Sequence, residues 1–206
     1  MDDVTAFVLA GGQSIRMGRD KALLPLGGQT LLERALALAH RIAPKVAVLG
    51  SREKYAATGE AIIEDQFSAC GPLAGIHAAL VATDTDLNLI LPVDMPFVPL
   101  ELFLYLLERA RSRSAAQVTV PRVGGIIQGS CLACYRSFRI VCENQLKLGL
   151  CKVQDAIKLA SAAYVDDEEI RARGIGPDVF RNLNTPDDLT EAQKLEVQRG
   201  RLADPI

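Results

Sequence analysis

The sequence has few of the residues that usually build metal and redox centres. Its 206 residues include two histidines, His40 and His77, and neither lies near the pair Cys131 and Cys134 in the chain. This Cys-x-x-C pair sits in a strand-like segment, where positions three apart point to opposite faces of a sheet. We therefore predict that both thiols are buried packing groups rather than a metal or redox site, and that His77 packs within a helix.

Three further absences limit the class of protein and its location. The formal net charge is −2 and the pI is about 5.8, so there is no positive field to attract nucleic acid or an anionic membrane. No apolar run is long enough to span a bilayer, and the first residues lack the basic segment of a signal peptide. We expect a cytoplasmic protein that binds its anions through a local loop.

The five cysteines are an odd number in a sequence without an export signal. Such a chain is expected to keep its thiols reduced, so we predict no disulfide framework. The length and the hydrophobic fraction of 49% are typical of one globular domain. We assign this domain to residues 1–200 and expect residues 201–206 to form a flexible tail.

Short apolar segments alternate along the chain with segments of helical periodicity, which predicts an α/β fold. Residues 30–43 have helical spacing, and Thr30 is followed three residues later by Glu33, the pattern of a capping box. Residues 87–94 are almost entirely apolar, as in a parallel strand buried on both faces. Residues 125–135 are predicted to form one strand. The expected architecture is a three-layer Rossmann-like fold with a mostly parallel sheet and helices on both faces.

The segment after the first predicted strand, LAGGQSIRMGRDK (residues 9–21), combines three glycines with three cations. It has neither the Gly-Lys-Ser/Thr ending of a Walker A loop nor the spacing G-x-G-x-x-G. Backbone amides in a glycine-rich turn still bind anions, and Arg16 and Lys21 add a forked and a compact positive charge. The segment is predicted to bind phosphate; the alternative is a glycine turn with solvated charges.

Carboxylates follow two other predicted strands, whose ends should meet at the same edge of the sheet. Asp94 lies between Pro92 and Pro96, which stiffen the segment, and a carboxylate held in this way suits Mg²⁺. Asp65 begins the loop into the next helix, whose N-terminus adds positive potential. It is predicted to contact the ribose, the base or the metal. For both residues an acidic turn without a ligand is the alternative.

Four segments, in this order, resemble the molybdenum cofactor guanylyltransferases of the nucleotidyltransferase superfamily. They are LAGGQSIRMGRDKALLPLGG, IIEDQFSACGPLAGIHAAL, LPVDMPFVP and FRNLNTPDDL, and the resemblance covers about residues 4–195. It implies an enzyme that binds GTP with Mg²⁺ and transfers GMP to the terminal phosphate of molybdopterin or its molybdenum-bearing form. The products are the guanine dinucleotide form of the cofactor and pyrophosphate.

The resemblance also implies roles for individual residues. Nucleotide binding falls to Leu9, Ala10, Gly11, Gly12, Lys21, Asp65 and Asp94. Catalysis falls to Arg16, Lys21 and Asp94, with Asp94 as the ligand of Mg²⁺. Asn182 and Asn184 match a motif near the pterin side of the cleft. The partners implied are GTP and molybdopterin, with other cofactor-biosynthesis proteins or acceptor molybdoenzymes beside them, and neither nucleic acid nor a membrane.

Two groups of alternatives remain open at this stage. The first contains sister enzymes: a cytidylyltransferase for the same cofactor, or a nucleotidyltransferase for sugar or polyol phosphates. The adjacent Gly11 and Gly12 favour the guanylyl branch by family analogy. The second is a nucleotide-binding partner that delivers the cofactor without catalysis, and the presence of Arg16, Lys21 and Asp94 argues against it.

Overall fold

The computed structural model of the chain describes residues 3–11, 20–67, 69–113 and 115–203. The strands are β1 (Val4–Leu9), β2 (Pro25–Leu26), β3 (Gln29–Thr30), β4 (Lys45–Leu49), β5 (Ala61–Ile63), β6 (Leu87–Pro92), β7 (Val118–Val123), β8 (Ile126–Ile127), β9 (Leu132–Tyr135) and β10 (Ala162–Asp166). The α-helices are α1 (Leu31–His40), α2 (Arg52–Tyr55), α3 (Gly71–Ala82), α4 (Leu100–Ser112), α5 (Arg139–Lys147), α6 (Val153–Leu159), α7 (Asp167–Arg171) and α8 (Pro186–Ala203). Within these described residues, none of the helices has both the length and the apolar character needed to cross a bilayer.

The main sheet has the strand order β10-β7-β9-β6-β1-β4-β5, and β8 pairs with β7. Strands β1, β4, β5 and β6 are mutually parallel, and β10 is parallel to β7. Strand β9 lies antiparallel between β6 and β7. The prediction of an α/β fold with a mostly parallel sheet is therefore confirmed. A separate hairpin of β2 and β3, which the sequence pattern did not predict, leads into α1.

Side chains along each strand alternate between the two faces of this sheet. Helices pack against both faces, so the protein has two hydrophobic cores. In β1, Val4, Ala6 and Val8 pack toward α1 and α4, whereas Phe7 and Leu9 pack toward α3, α5 and α6. All six residues of β1 and all six of β6 are buried. The apolar run at 87–94 is thus a central strand, as predicted.

Strand ends define one edge of the sheet. Leu9 at the end of β1 pairs in register with Leu49 of β4 and with Pro92 of β6. Leu49 in turn pairs with Ile63 at the end of β5. These four residues form one row, so the segments that follow them all start from the same edge.

The predicted single strand over residues 125–135 is wrong in one respect. The chain forms the short strand β8, turns, and then forms β9. The turn is held by the N–H of Cys131, which donates to the carbonyl of Gln128 at 2.9 Å. The chain needs this turn because β9 inserts between β7 and β6, whereas β8 pairs only with β7.

The cysteines behave differently from one another. Cys131 and Cys134 are free, fully buried and packed on opposite faces of the sheet, which confirms the prediction for this pair. Burial raises the pKa of both thiols. No disulfide framework was predicted, and the structure corrects this expectation at one pair, because Cys70 and Cys151 are bonded. They are 81 residues apart in sequence, and the packing of α3 against α5 brings the two loops together, which the sequence spacing did not reveal.

Helix α1 begins with the predicted capping box. Oγ1 of Thr30 accepts the N–H of Glu33 at 3.1 Å, and the Glu33 carboxylate accepts the N–H of Thr30 at 2.7 Å. Helix α1 buries five residues against the sheet. Because Thr30 belongs to both the capping box and β3, the position of α1 also determines the position of the hairpin before it.

We expect Thr30→Ala to lower the free energy of unfolding by about 1 kcal/mol, since it removes the acceptor for a helix N-terminal amide. The measurement is urea denaturation followed by circular dichroism. Thr190→Ala is the matched control: this threonine is exposed inside α8 and bonds only along its own helix, to the Pro186 carbonyl. A loss for Thr30→Ala no larger than that for Thr190→Ala would contradict the capping role.

Candidate active site

A lysine, an aspartate and an asparagine from three distant parts of the chain meet at the carboxyl edge of the sheet. Nζ of Lys21 lies 3.2 Å from Oδ2 of Asp94 and 2.9 Å from Oδ1 of Asn184. The Lys21 and Asp94 side chains are only 17% and 26% exposed, so solvent screens their attraction less than that of a surface ion pair. All three residues were predicted as site residues, and the fold brings them together.

Each member of this cluster is held by its local structure. Lys21 begins a 3-10 helix, Lys21–Leu23, that Asp20 caps by accepting the N–H of Ala22. Asp94 lies in the turn after β6, and its carbonyl accepts the N–H of Leu183 at 2.9 Å. This backbone bond attaches the segment that carries Asn184 to the end of β6.

The segment before α8 is fixed by a second capping arrangement. The Asp188 carboxylate accepts the N–H groups of Asn184 and Thr185 at 3.0 and 2.8 Å. Hydrogen bonds from Thr185 and Asn184 hold the pKa of Asp188 below its usual value. Asn182 lies half-buried in the same segment, but the asparagine that reaches Lys21 is Asn184.

The main chain of Leu9–Gly11 forms the wall of the site. The N–H groups of Ala10 and Gly11 both donate to the carbonyl of Leu49, at 3.0 and 2.9 Å. The carbonyl of Leu9 accepts the N–H of Val93. The N–H groups of Ala10 and Gly11, two residues predicted to bind the nucleotide, therefore join β1 to β4, and these residues shape the site through the position of their backbone.

Two cavities open beside this wall. One of about 330 Å³ is lined by Gly11, Gly50, Ser51, Lys54, Tyr55, Glu64 and Asp65. The other, of about 150 Å³, shares Gly11, Gly50 and Asp65 with it and extends to Gly71 and Gly75 of α3. Burial, and then the negative charge of Glu64, raises the pKa of Asp65 above its usual value. A ligand that donates hydrogen bonds to Asp65 would favour its charged form.

The loop and helix on the other side of the smaller cavity have unusual backbone features. Ala69 has a φ of 63°, a left-handed conformation that side chains other than glycine rarely adopt. A Cβ at Gly75 would lie 3.0 Å from Cδ1 of Leu9, so glycine allows α3 to pack closely against β1. His77, two residues further along, is buried with its ring roughly perpendicular to that of Phe67, as predicted for a packed residue.

Three residues that the sequence patterns did not single out also belong to the site. Oη of Tyr55 lies 3.1 Å from both carboxylate oxygens of Asp20, and Nζ of Lys54 lies 3.0 Å from Oδ2. A tyrosine in a short helix carries no recognisable sequence signal for such a contact. Gly12 and Arg16, which were also predicted as site residues, lie outside the described residues.

The residues that are described fit a divalent cation bound mainly through its substrate. Among them there is no cluster of three or more histidine, cysteine, aspartate or glutamate side chains of the kind that encloses a metal. Mg²⁺ usually takes one or two protein carboxylates and completes its octahedron with phosphate oxygens and water. Asp94, partly exposed at the sheet edge, is a suitable single carboxylate.

A mostly parallel sheet with charged side chains and glycines gathered at the carboxyl ends of its parallel strands, beside an open cavity, is typical of a nucleotide-binding α/β protein. A family model described as the MobA-like NTP transferase domain matches residues 6–158 of this chain. The chain belongs to this family of nucleotidyltransferases. The resemblance identified from the motifs is confirmed.

Curated relatives extend the similarity over almost the whole chain. A probable molybdenum cofactor guanylyltransferase from Pelotomaculum thermopropionicum is 34% identical over 194 residues, which are 94% of this chain and 93% of the relative. The molybdenum cofactor guanylyltransferase of Mesorhizobium japonicum is 30% identical over 210 aligned residues, covering 94% of this chain and 96% of the relative.

Solved structures support the fold. Molybdopterin-guanine dinucleotide biosynthesis protein A from Archaeoglobus fulgidus has a TM-score of 0.81 at 24% identity, covering 94% of this chain and 99% of that one. The 2-C-methyl-D-erythritol 4-phosphate cytidylyltransferase of Thermus thermophilus has a TM-score of 0.69 at 22% identity, with coverage of 92% and 96%. The fold is therefore common to enzymes named for different nucleotides, and it does not by itself select the base.

We expect Lys21→Ala to weaken the binding of a nucleoside triphosphate, measured with GTP by calorimetry, by about tenfold or more, the loss of one charge-assisted hydrogen bond. The melting temperature should change little, because Lys21 begins a 3-10 helix of only three residues at the edge of the sheet. Lys45→Ala is the control, since Lys45 begins β4 at the opposite end from Leu49 and its ammonium pairs with the exposed Asp84. Unchanged affinity in Lys21→Ala would contradict the phosphate role.

Proposed function

We propose that this protein transfers GMP from GTP to the terminal phosphate of molybdopterin, or of its molybdenum-bearing form, with Mg²⁺ and in the cytoplasm. The observation that carries the proposal is the cluster of Lys21, Asp94 and Asn184 at the sheet edge beside the open cavities. The names of the curated relatives, which are similar over nearly the whole chain, support the same activity. The domain assignment to residues 1–200 remains part of this proposal.

The chemistry needs no covalent intermediate on the protein. An oxygen of the molybdopterin phosphate forms a bond to the α-phosphorus of GTP, and the bond from that phosphorus to the α,β-bridging oxygen breaks. Pyrophosphate leaves with the electron pair of the broken bond. The protein therefore contributes positioning of the two phosphates and stabilisation of the charge that develops on the leaving group.

The positively charged groups of the site stabilise the negative charge of the phosphates. The Lys21 ammonium, already directed to the sheet edge by Asp94 and Asn184, would contact the phosphates of GTP and offset the charge on pyrophosphate. Arg16 keeps its predicted role as a second phosphate contact, and Gly12 its role in the nucleotide loop. Mg²⁺, held by Asp94, would supply further neutralisation of the triphosphate.

The carboxylates of the larger cavity favour guanine as the base. Guanine presents two adjacent donors, its N1–H and its N2 amino group, whereas cytosine presents one amino group next to ring acceptors. Asp65 and Glu64 are adjacent carboxylates that repel each other, so a ligand that donates hydrogen bonds to Asp65 is favoured. The acceptor phosphate would then enter from the side of Asn182 and Asn184, where Asn184 already contacts Lys21.

The test of this function is release of pyrophosphate from GTP in the presence of Mg²⁺ and molybdopterin, with formation of the dinucleotide followed by mass spectrometry. CTP in place of GTP is the comparison. Turnover with GTP well above that with CTP is expected. A preference for CTP would instead indicate a cytidylyltransferase, and nucleotide binding without turnover would indicate a delivery partner.

We expect Asp94→Ala to lose at least about 100-fold in Mg²⁺-dependent turnover, because it removes the carboxylate assigned to the metal and the partner of Lys21. Its melting temperature should stay close to that of the unchanged protein, since Asp94 lies in a turn. Asp84→Ala removes a carboxylate whose side chain is 74% exposed and should leave turnover unchanged. Full activity in Asp94→Ala would refute the metal assignment.

A further inference from the structure

A carboxylate next to the predicted phosphate lysine is held from three sides. Oη of Tyr55 lies 3.1 Å from each oxygen of Asp20, and Nζ of Lys54 lies 3.0 Å from Oδ2. The N–H of Ala22 donates to Oδ1 at 3.1 Å. The Asp20 side chain is only 15% exposed, so these contacts, rather than water, determine its orientation.

The hydroxyl of Tyr55 also lies 3.1 Å from the carbonyl oxygen of Ala10. A phenol has one proton, so this hydroxyl donates one shared hydrogen bond toward the Ala10 carbonyl and the Asp20 carboxylate. Burial and the charge of Asp20 raise the pKa of Tyr55, which keeps this proton in place. One hydroxyl therefore lies between Ala10 and Asp20, which are the second residue and the second-last residue of the segment 9–21.

The ring of Tyr55 is fixed in this position by close packing. It is 2% exposed, and a Cβ added at Gly50 would lie 2.7 Å from its Cε2 atom. Gly50 also has a φ of 156°, where side chains are disfavoured. The glycine after β4 thus admits the tyrosine ring beneath the larger cavity, and the hydroxyl has little freedom to point elsewhere.

We propose that Tyr55 is a positioning residue for nucleotidyl transfer: by holding Asp20 and the Ala10 carbonyl, its hydroxyl keeps Lys21 in place beside Asp94. The link to Lys21 is direct in the chain, because Asp20 precedes it and caps the 3-10 helix that it begins. The proposal rests on the proposed phosphate contact of Lys21. Lys54 contributes less, since its side chain is 53% exposed and exposed ion pairs are weak.

Tyr55→Phe tests this role because it removes the hydroxyl and leaves the packed ring. We expect kcat/KM for GTP to fall about tenfold, with a melting temperature close to that of the unchanged protein. Tyr135→Phe is the matched control: its hydroxyl also donates to one carbonyl, that of Ala110, and it lies on β9 away from Lys21. An unchanged kcat/KM in Tyr55→Phe would overturn the proposal.

Coupling to Lys21 separates a positioning role from a general structural one. If Tyr55 acts through Lys21, the double variant Lys21→Ala/Tyr55→Phe should lose no more activity than Lys21→Ala alone. Losses that multiply would mean that Tyr55 acts independently of the lysine, and they would overturn the proposal.

A readout without nucleotide distinguishes failure of this proposal from failure of the proposed function. Reductive methylation, quantified by peptide mass spectrometry, measures the accessibility of each lysine amine. Tyr55→Phe should raise the labelling rate of Lys21 several-fold and leave that of Lys45 unchanged. If the unchanged protein releases no pyrophosphate from GTP, the function fails, but the labelling result still decides the positioning role. Equal labelling of Lys21 in both proteins would overturn it.

Discussion

The in-register pairing of β1 with β4 and β6 is the constraint on which the site depends. Because Leu9, Leu49 and Pro92 lie in one row, the segments after them leave the sheet at the same edge. Backbone hydrogen bonds extend this pairing past the strand ends, from Ala10 and Gly11 to Leu49 and from Val93 to Leu9. A shift of one residue in the register of this pairing would move every side chain of a strand to the opposite face of the sheet. Because both faces are packed against helices, such a shift is disfavoured, and the strands end at the same edge.

The site is assembled from this edge by short polar contacts between distant segments. Asp94 lies in the turn after β6 and its carbonyl accepts the N–H of Leu183, which attaches the segment of Asn184. Lys21 lies between Asp94 and Asn184, and Asp20 beside it is bonded to Tyr55 from α2. The charged side chains are therefore oriented by contacts within the protein, which reduces the reorganisation needed during phosphoryl chemistry.

Much of the fold could be predicted because its signals are local. The capping box at Thr30 and the apolar strand at 87–94 depend on neighbouring residues, and both are present in the structure. The single strand predicted at 125–135 failed because the choice between one strand and two depends on β9 inserting between β6 and β7. The Cys70–Cys151 bond was missed for the same reason, since the packing of α3 on α5 creates that proximity.

The sequence by itself determined the alternation of strands and helices, the family, and the residue types of the candidate site, because motif spacing and periodicity are properties of the chain. Only the tertiary structure decided which of these residues meet. It joined Lys21 to Asp94 and Asn184 across 73 and 163 residues, and it added Tyr55, which no motif marks. It also showed that the N–H groups of Ala10 and Gly11 donate to the carbonyl of Leu49. Contacts at such separations follow from strand order and register, which local patterns do not encode.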